Sequence, residues 1–146
     1  MILISHRGNI SGRNIDMENH PQYIVETLNK GYDVEVDVWF EKGSWFLGHD
    51  KPMYSVGLNF LQNNNIWCHA KNIDAMYNLL HKNVIHFWHE KDTLTLTNNG
   101  YLWTYPGKPL TSLSICVLPE WANYNEFRCA GICSDNIRDY EKTYNL

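Results

Sequence analysis

The sequence predicts an α/β fold: a reduced TIM-type (β/α) barrel, with helices mainly on its first half and a strand-rich second half with few helices. Three observations predict it. The first half alternates strand-like and amphipathic helix-like segments, the pattern of parallel βα units. The second half is dense in strand-like runs and poor in helical ones. The chain has 146 residues, whereas a complete barrel of eight βα units needs roughly 250. That length suits one domain, residues 1–146, with a proper core.

The elements follow in order. Ile2–Ser5 is a short apolar strand, bounded by Gly8. Pro21–Lys30 is a helix, with Pro21 suited to its first position and Gly31 to its end. Asp33–Trp39 alternates Val34, Val36 and Val38 with Asp33, Glu35 and Asp37, which is the period of a strand. Ser44–Gly48 is a second short strand. Val56–Asn63 is a helix whose apolar face is weak, made of Val56, Phe60 and Leu61. Ile66–Ala70 is a strand. Asn72–Lys82 is a helix with a clear apolar face of Ile73, Met76, Tyr77 and Leu80. Val84–Trp88, Thr93–Thr97, Tyr101–Tyr105, Leu113–Leu118 and Ala130–Cys133 are strands. Asn98-Asn99-Gly100 links two of them, and so short a link predicts a hairpin rather than a parallel crossover.

Composition narrows the function. Net charge is −4 and there is no basic run, so nucleic acid and anionic membrane are not expected partners. No apolar stretch is long enough to span a bilayer, so stable membrane insertion is not expected. The opening "MILISHRG" lacks the charged start, long apolar stretch and cleavage site of a signal peptide. Cys68, Cys116 and Cys129 lie in apolar runs and Cys133 just after one, which suits reduced, buried thiols. These features predict a cytoplasmic protein.

The chemistry starts from Glu35 and Asp37. On one strand they point to the same side, and two nearby carboxylates repel unless something positive lies between them. A divalent cation with oxygen ligands, Mg²⁺, Ca²⁺ or Mn²⁺, answers that repulsion. Asp33 sits at the strand's start, where a solvated or capping role fits. The competing reading is that all three acids face water on an open sheet. Other strand ends favour a site. His6 and Arg7 end the first strand, His49 and Asp50 another, and His69 and Lys71 a third. Histidine moves protons near neutral pH, and the guanidinium fork matches a phosphate.

These segments resemble the glycerophosphodiester phosphodiesterase family, among the phospholipase C-like phosphodiesterase barrels. The matching segments are "HRG" at His6–Gly8, "MENH" at Met17–His20 and "EVD" at Glu35–Asp37. They continue with "HD" at His49–Asp50, "HAK" at His69–Lys71 and the closing "AGICSDN", while "YLWTYP" matches weakly. The resemblance implies a hydrolase of lipid metabolism acting on a small glycerophosphodiester or related phosphodiester. It implies that His6 and His49 are the general acid/base pair and that Arg7 and Lys71 bind the phosphate. Glu35 and Asp37 are implied to hold the divalent cation. Glu18, Asn19, Asp50 and Asp135 are implied to support the site.

His69 stands where that family carries a glutamate ligand. Either His69 is the third ligand and shifts the preference toward Mn²⁺ or Zn²⁺, or the third ligand comes from elsewhere, or metal binding is weak. The shortened coat of helices also predicts exposed apolar strand faces, covered by a second copy in a homodimer. Three further functions stay open: a lyase that transfers the phosphate to an internal hydroxyl, a non-catalytic phosphate- or polyol-binding module, and a structural or assembly protein, which would not need His6, Arg7, Glu35, Asp37 and His49 to converge.

The remaining candidates have simpler readings. His86 and His89 with Cys129 and Cys133 do not match a standard zinc spacing, and buried thiols with strand-end imidazoles account for them. His89, Glu90 and Glu120 follow strand ends and can line a pocket. Trp103 suits either stacking on substrate or the core. His20 and His81 read as helix-end residues.

Overall fold

The structure is a computed structural model that describes residues 1–144. Its strands are β1 (Ile2–His6), β2 (Asp33–Glu41), β3 (Ser44–Leu47), β4 (Tyr54–Val56), β5 (Ile66–Ala70), β6 (Ile85–Phe87), β7 (Leu94–Leu96), β8 (Leu102–Thr104), β9 (Ser114–Val117) and β10 (Gly131–Ser134). Its α-helices are α1 (Pro21–Leu28), α2 (Leu58–Leu61), α3 (Ile73–Leu79) and α4 (Ile137–Tyr144). Among the described residues, no helix is long and apolar enough to cross a membrane.

The expected TIM-type barrel is corrected. The chain builds one curled, mixed sheet of ten strands, a half-barrel with few short helices. The neighbour order runs β6-β5-β2-β1-β10-β9-β8-β7. Pairs from β6 to β8 are parallel, and β7 is antiparallel to β8 as the hairpin reading requires. The last residues of β2 turn away to pair antiparallel with β3, and β3 with β4. Among the described residues no strand ladder joins β6 to β7 or β8. The cause lies in the connections. Residues 105–113 and 118–130 contain no α-helix, only a 3₁₀ turn at Pro119–Trp121, so no alternating helical layer forms. The four helices span only 8, 4, 7 and 8 residues.

Two apolar layers hold the sheet. Ile24, Val34, Val36, Val38, Ile66, Cys68 and Leu79 pack between the sheet and helices α1 and α3. Ile4, Trp67, Phe87, Trp103, Ile115 and Cys133 fill the other face, where Phe87 and Trp103 stack at 4.4 Å between centroids. A third cluster, Ile10, Tyr32, Cys116, Ile132 and Ile137, lies under α4.

The apolar face expected of α3 is also corrected. Ile73 and Tyr77 are exposed and Leu80 is half exposed, whereas Ala75 and Leu79 are buried. Asn72 caps the helix by accepting from the Ala75 amide and also bonds the backbone of Phe40. That anchorage sets which side of a two-turn helix meets the sheet.

One backbone position is demanding. Gly8 closes the β1 turn at φ +96°, and a Cβ there would lie 2.6 Å from Tyr23 Cδ1. Gly43, at φ +78°, has nothing within 4 Å of the same position. Gly8→Ala is therefore expected to lower stability by about 2 kcal/mol or more, left-handed strain plus a clash. Gly43→Ala should lose only about 1 kcal/mol. Urea midpoints check this, and equal losses would refute the steric argument.

Candidate active site

The ends of β1 and β5, the interior of β2 and the turns after β3 and β10 deliver polar side chains to one cleft of about 460 Å³. His6, Arg7, Glu35, His49, His69, Lys71 and Asp135 line it. The sheet register produces this. His6 pairs with Glu35 across β1 and β2, and Asp37 with His69 across β2 and β5. The apolar plug of Trp67, Phe87 and Trp103 occupies the same face deeper in the curl. Arg7, at φ 55°, turns sharply out of β1, and Asn19, at φ 64°, returns the loop through its amide to the Arg7 carbonyl at 3.1 Å.

Asp37 is the hub. It is fully buried, and solvent exposure is excluded for Glu35 as well, at 2 %. The open-sheet reading of these acids therefore fails. Asn19 donates to Asp37 Oδ2 at 2.9 Å and accepts from the Asp37 amide at 2.9 Å. Arg7 Nε lies 2.8 Å from the same oxygen, although not aligned as a hydrogen bond. His49 Nδ1 lies at 3.3 Å, His69 Nδ1 at 3.2 Å and Lys71 Nζ at 3.6 Å from the carboxylate. Burial raises the Asp37 pKa, but His49, His69 and Arg7 outweigh it and hold the pKa well below the usual range. Arg7 is disfavoured by burial yet kept charged by Asp37, Glu35 and Glu18.

The residues fit a divalent cation on three counts. A Glu35 oxygen, an Asp37 oxygen and a His69 nitrogen all lie within 4.8 Å of one another. Glu35 Oε2 and Asp37 Oδ1 are buried oxygens with no hydrogen-bond partner. His69 Nε2 lies 2.9 Å from the His89 carbonyl, which can only accept, so Nε2 carries the hydrogen. In the neutral ring, Nδ1 then turns its lone pair toward the two acids, the arrangement of a ligand held by its outer nitrogen. Without a metal, a second proton takes that place. Burial opposes a charged ring, but Asp37 and Glu35 raise the His69 pKa to about 9.

His6 has a different partner. Its Nδ1 lies 2.8 Å from Asp135 Oδ1, and Nε2 is 3.9 Å from Glu35 Oε2. Burial raises the Asp135 pKa, but His6, Asn9 and Arg7 draw it below the ordinary value. Asp135 accepts from His6 Nδ1–H, which fixes the imidazole with Nδ1–H bound and Nε2 free toward the cleft. Glu120 accepts from the Asp135 amide at 3.0 Å and from Ser134 Oγ, which steadies this pair.

The other expected residues sort as follows. Glu18 supports the first loop, accepting from Arg7, Asn9 and Arg13, and Asn19 supports Asp37 directly. Asp50 does not line the cleft; its side chain is 92 % exposed, with Oδ1 3.6 Å from His49 Nε2. Asp33 accepts from Asn65 and Trp67 at the base of β2. Sequence reasoning missed Asn9, which bonds both Asp135 and Glu18. It also missed Arg13, Tyr105 and Trp121 as lining residues. Asn9 carried a signal, since it directly follows the "HRG" turn; the others lie in irregular segments with none.

Among the described residues, Glu35, Asp37 and His69 form the one cluster able to hold a metal, which leaves His86, His89, Cys129 and Cys133 without a shared site. Compared with protein-family models, curated proteins and solved structures, the chain matches none.

Proposed function

We propose that the cleft hydrolyses a small phosphodiester, a glycerophosphodiester or a close relative, with a divalent cation held by Glu35, Asp37 and His69. The supporting observation is the convergence of His6, Arg7, Glu35, His49, His69 and Lys71, from four chain segments, around buried Asp37. A structural role alone does not require so many buried charges, since each is costly to desolvate. The imidazole ligand favours Mn²⁺ over Mg²⁺ or Ca²⁺.

A bound cation would neutralise phosphate charge as a Lewis acid. Lys71 and Arg7 add fixed positive charge beside it. His6 Nε2, with Nδ1 held by Asp135, takes the proton of the attacking water as its oxygen bonds to phosphorus. The bond from phosphorus to the departing alcohol oxygen breaks, and His49 gives that oxygen a proton. The substrate is a small molecule rather than nucleic acid. A cytoplasmic setting accords with four free cysteines.

Phosphorus NMR of glycerophosphoethanolamine incubated with protein and Mn²⁺ tests the reading. The expected result is a growing phosphomonoester signal that stops on chelation. A cyclic phosphate product would replace hydrolysis with the lyase reaction. No turnover with any divalent ion would contradict both and leave a binding module.

A further inference from the structure

The cleft has a second wall, and the catalytic residues do not use it. Trp103, Tyr105, Val117, Leu118 and Trp121 line the side formed by β8, β9 and the turn after β9. In the strand order, β8 and β9 lie on the far side of β1 and β10 from β2 and β5, which carry the acids. The curl therefore sets an apolar wall opposite a charged one. Trp103 is a fixed floor, buried to 3 % exposure and stacked on Phe87. Tyr105 and Trp121 are accessible, at 37 % and 64 %. The one acid in the turn, Glu120, is engaged with Ser134 and the Asp135 amide.

This wall is built rather than incidental. Leu118 adopts φ 43° and ψ 56°, a left-handed conformation rare for leucine. Its amide donates to the Cys133 carbonyl at 2.7 Å, and the Trp121 amide donates back to the Leu118 carbonyl at 2.9 Å. Those bonds and the Glu120 contacts hold the turn that carries Trp121 to the cleft. A phosphate and its catalytic groups need only part of about 460 Å³.

We infer that this wall is a subsite for an apolar alcohol arm, so that the substrate is a phosphodiester with one polar and one apolar ester group. This rests on reading the charged wall as a phosphodiester site. A cationic arm fits less well, because Trp103, Tyr105, Val117, Leu118 and Trp121 carry no charge and Glu120, the acid in the turn beside them, is engaged with Ser134 and the Asp135 amide. The apolar arm can be an alkyl chain or an aromatic ring, and both bury against Trp121.

The test uses glycerol phosphate diesterified with ethanolamine, choline, hexanol or p-nitrophenol. Calorimetric titration is run with chelator present, so that no ester is consumed. The hexyl or p-nitrophenyl diester should bind about tenfold more tightly than the ethanolamine diester. A tighter p-nitrophenyl ester identifies ring stacking, and a tighter hexyl ester a chain. Trp121→Ala should bring the ratio toward one, and Trp121→Phe should keep most of it. Since Trp121 is mostly exposed, both variants should keep the wild-type urea midpoint. Equal affinities in the wild type, a ratio untouched by Trp121→Ala, or tightest binding of the choline diester would overturn the inference. Preference without turnover under any divalent ion keeps the subsite and contradicts the diesterase. Turnover without preference does the reverse.

Discussion

Asp37→Ala is expected to lower the unfolding free energy by about 3–5 kcal/mol, the scale for removing one partner of a buried ion pair. Asp37 is fully buried and meets Arg7, His49, His69 and Lys71. Without it, Arg7, His69 and Lys71 crowd one space with Glu35 and, at Arg7 alone, Glu18 left to balance them. Asn19 also loses an acceptor. Against a typical total of about 5–15 kcal/mol, that loss threatens folding itself. Asp37→Asn keeps the volume but not the charge, so it should fall between wild type and Ala. Urea denaturation checks both. A midpoint for Asp37→Ala within error of wild type would show that the cluster is solvated and the hub assignment wrong.

His49→Ala should behave in the opposite way, with turnover falling about 10²–10⁴-fold and stability almost unchanged. The His49 side chain is 39 % exposed and lies 3.3 Å from Asp37 without an aligned hydrogen bond, so its removal costs little packing. His6→Ala should lose comparable activity but also some stability, because Asp135 then loses one of its two closest side-chain partners. Steady-state rates with Mn²⁺ and glycerophosphoethanolamine, beside urea midpoints, separate the two effects. Retained activity in His49→Ala would remove that residue from the proton transfer.

Much of the sheet was legible because its strands carry strong local patterns. The alternation from Val34 to Val38 and the run Ile66–Ala70 mark β2 and β5, and Asn98-Asn99-Gly100 marks the β7–β8 hairpin. Closure and coat were not legible. Strand pattern says nothing about whether β6 finds β8, and helices of one or two turns leave too few residues for a reliable period. That is why Ile73, Tyr77 and Leu80 looked buried while Ala75 and Leu79 are. β4 is only three residues long, and its Val56 read as helix. In α4, "IRDYEKTY" is polar overall, but Ile137, Tyr140 and Tyr144 recur at helical spacing, a face the sequence reading missed; Ile137 is buried and Tyr140 packs beside it.

The site was more legible than the fold. His6 ends β1, His69 lies one residue before the end of β5, His49 follows β3, and Glu35 and Asp37 lie within β2, where the two-residue spacing fixes a shared direction. Partners supplied by irregular segments, such as Asn9, Glu120 and Trp121, depend on how distant turns come together. No local period encodes that.

Calorimetric titration of Mn²⁺ into wild type and His69→Ala across pH tests the central claim most directly. In the wild type, the metal must displace a proton from His69, whose pKa is raised to about 9. Below that pH, binding should release about one proton, and apparent affinity should rise about tenfold per pH unit before levelling off above it. His69→Ala should bind at least ~100-fold more weakly and lose that pH dependence. Equal affinity in the two proteins, or no binding to either, would contradict a cation held between Glu35, Asp37 and His69.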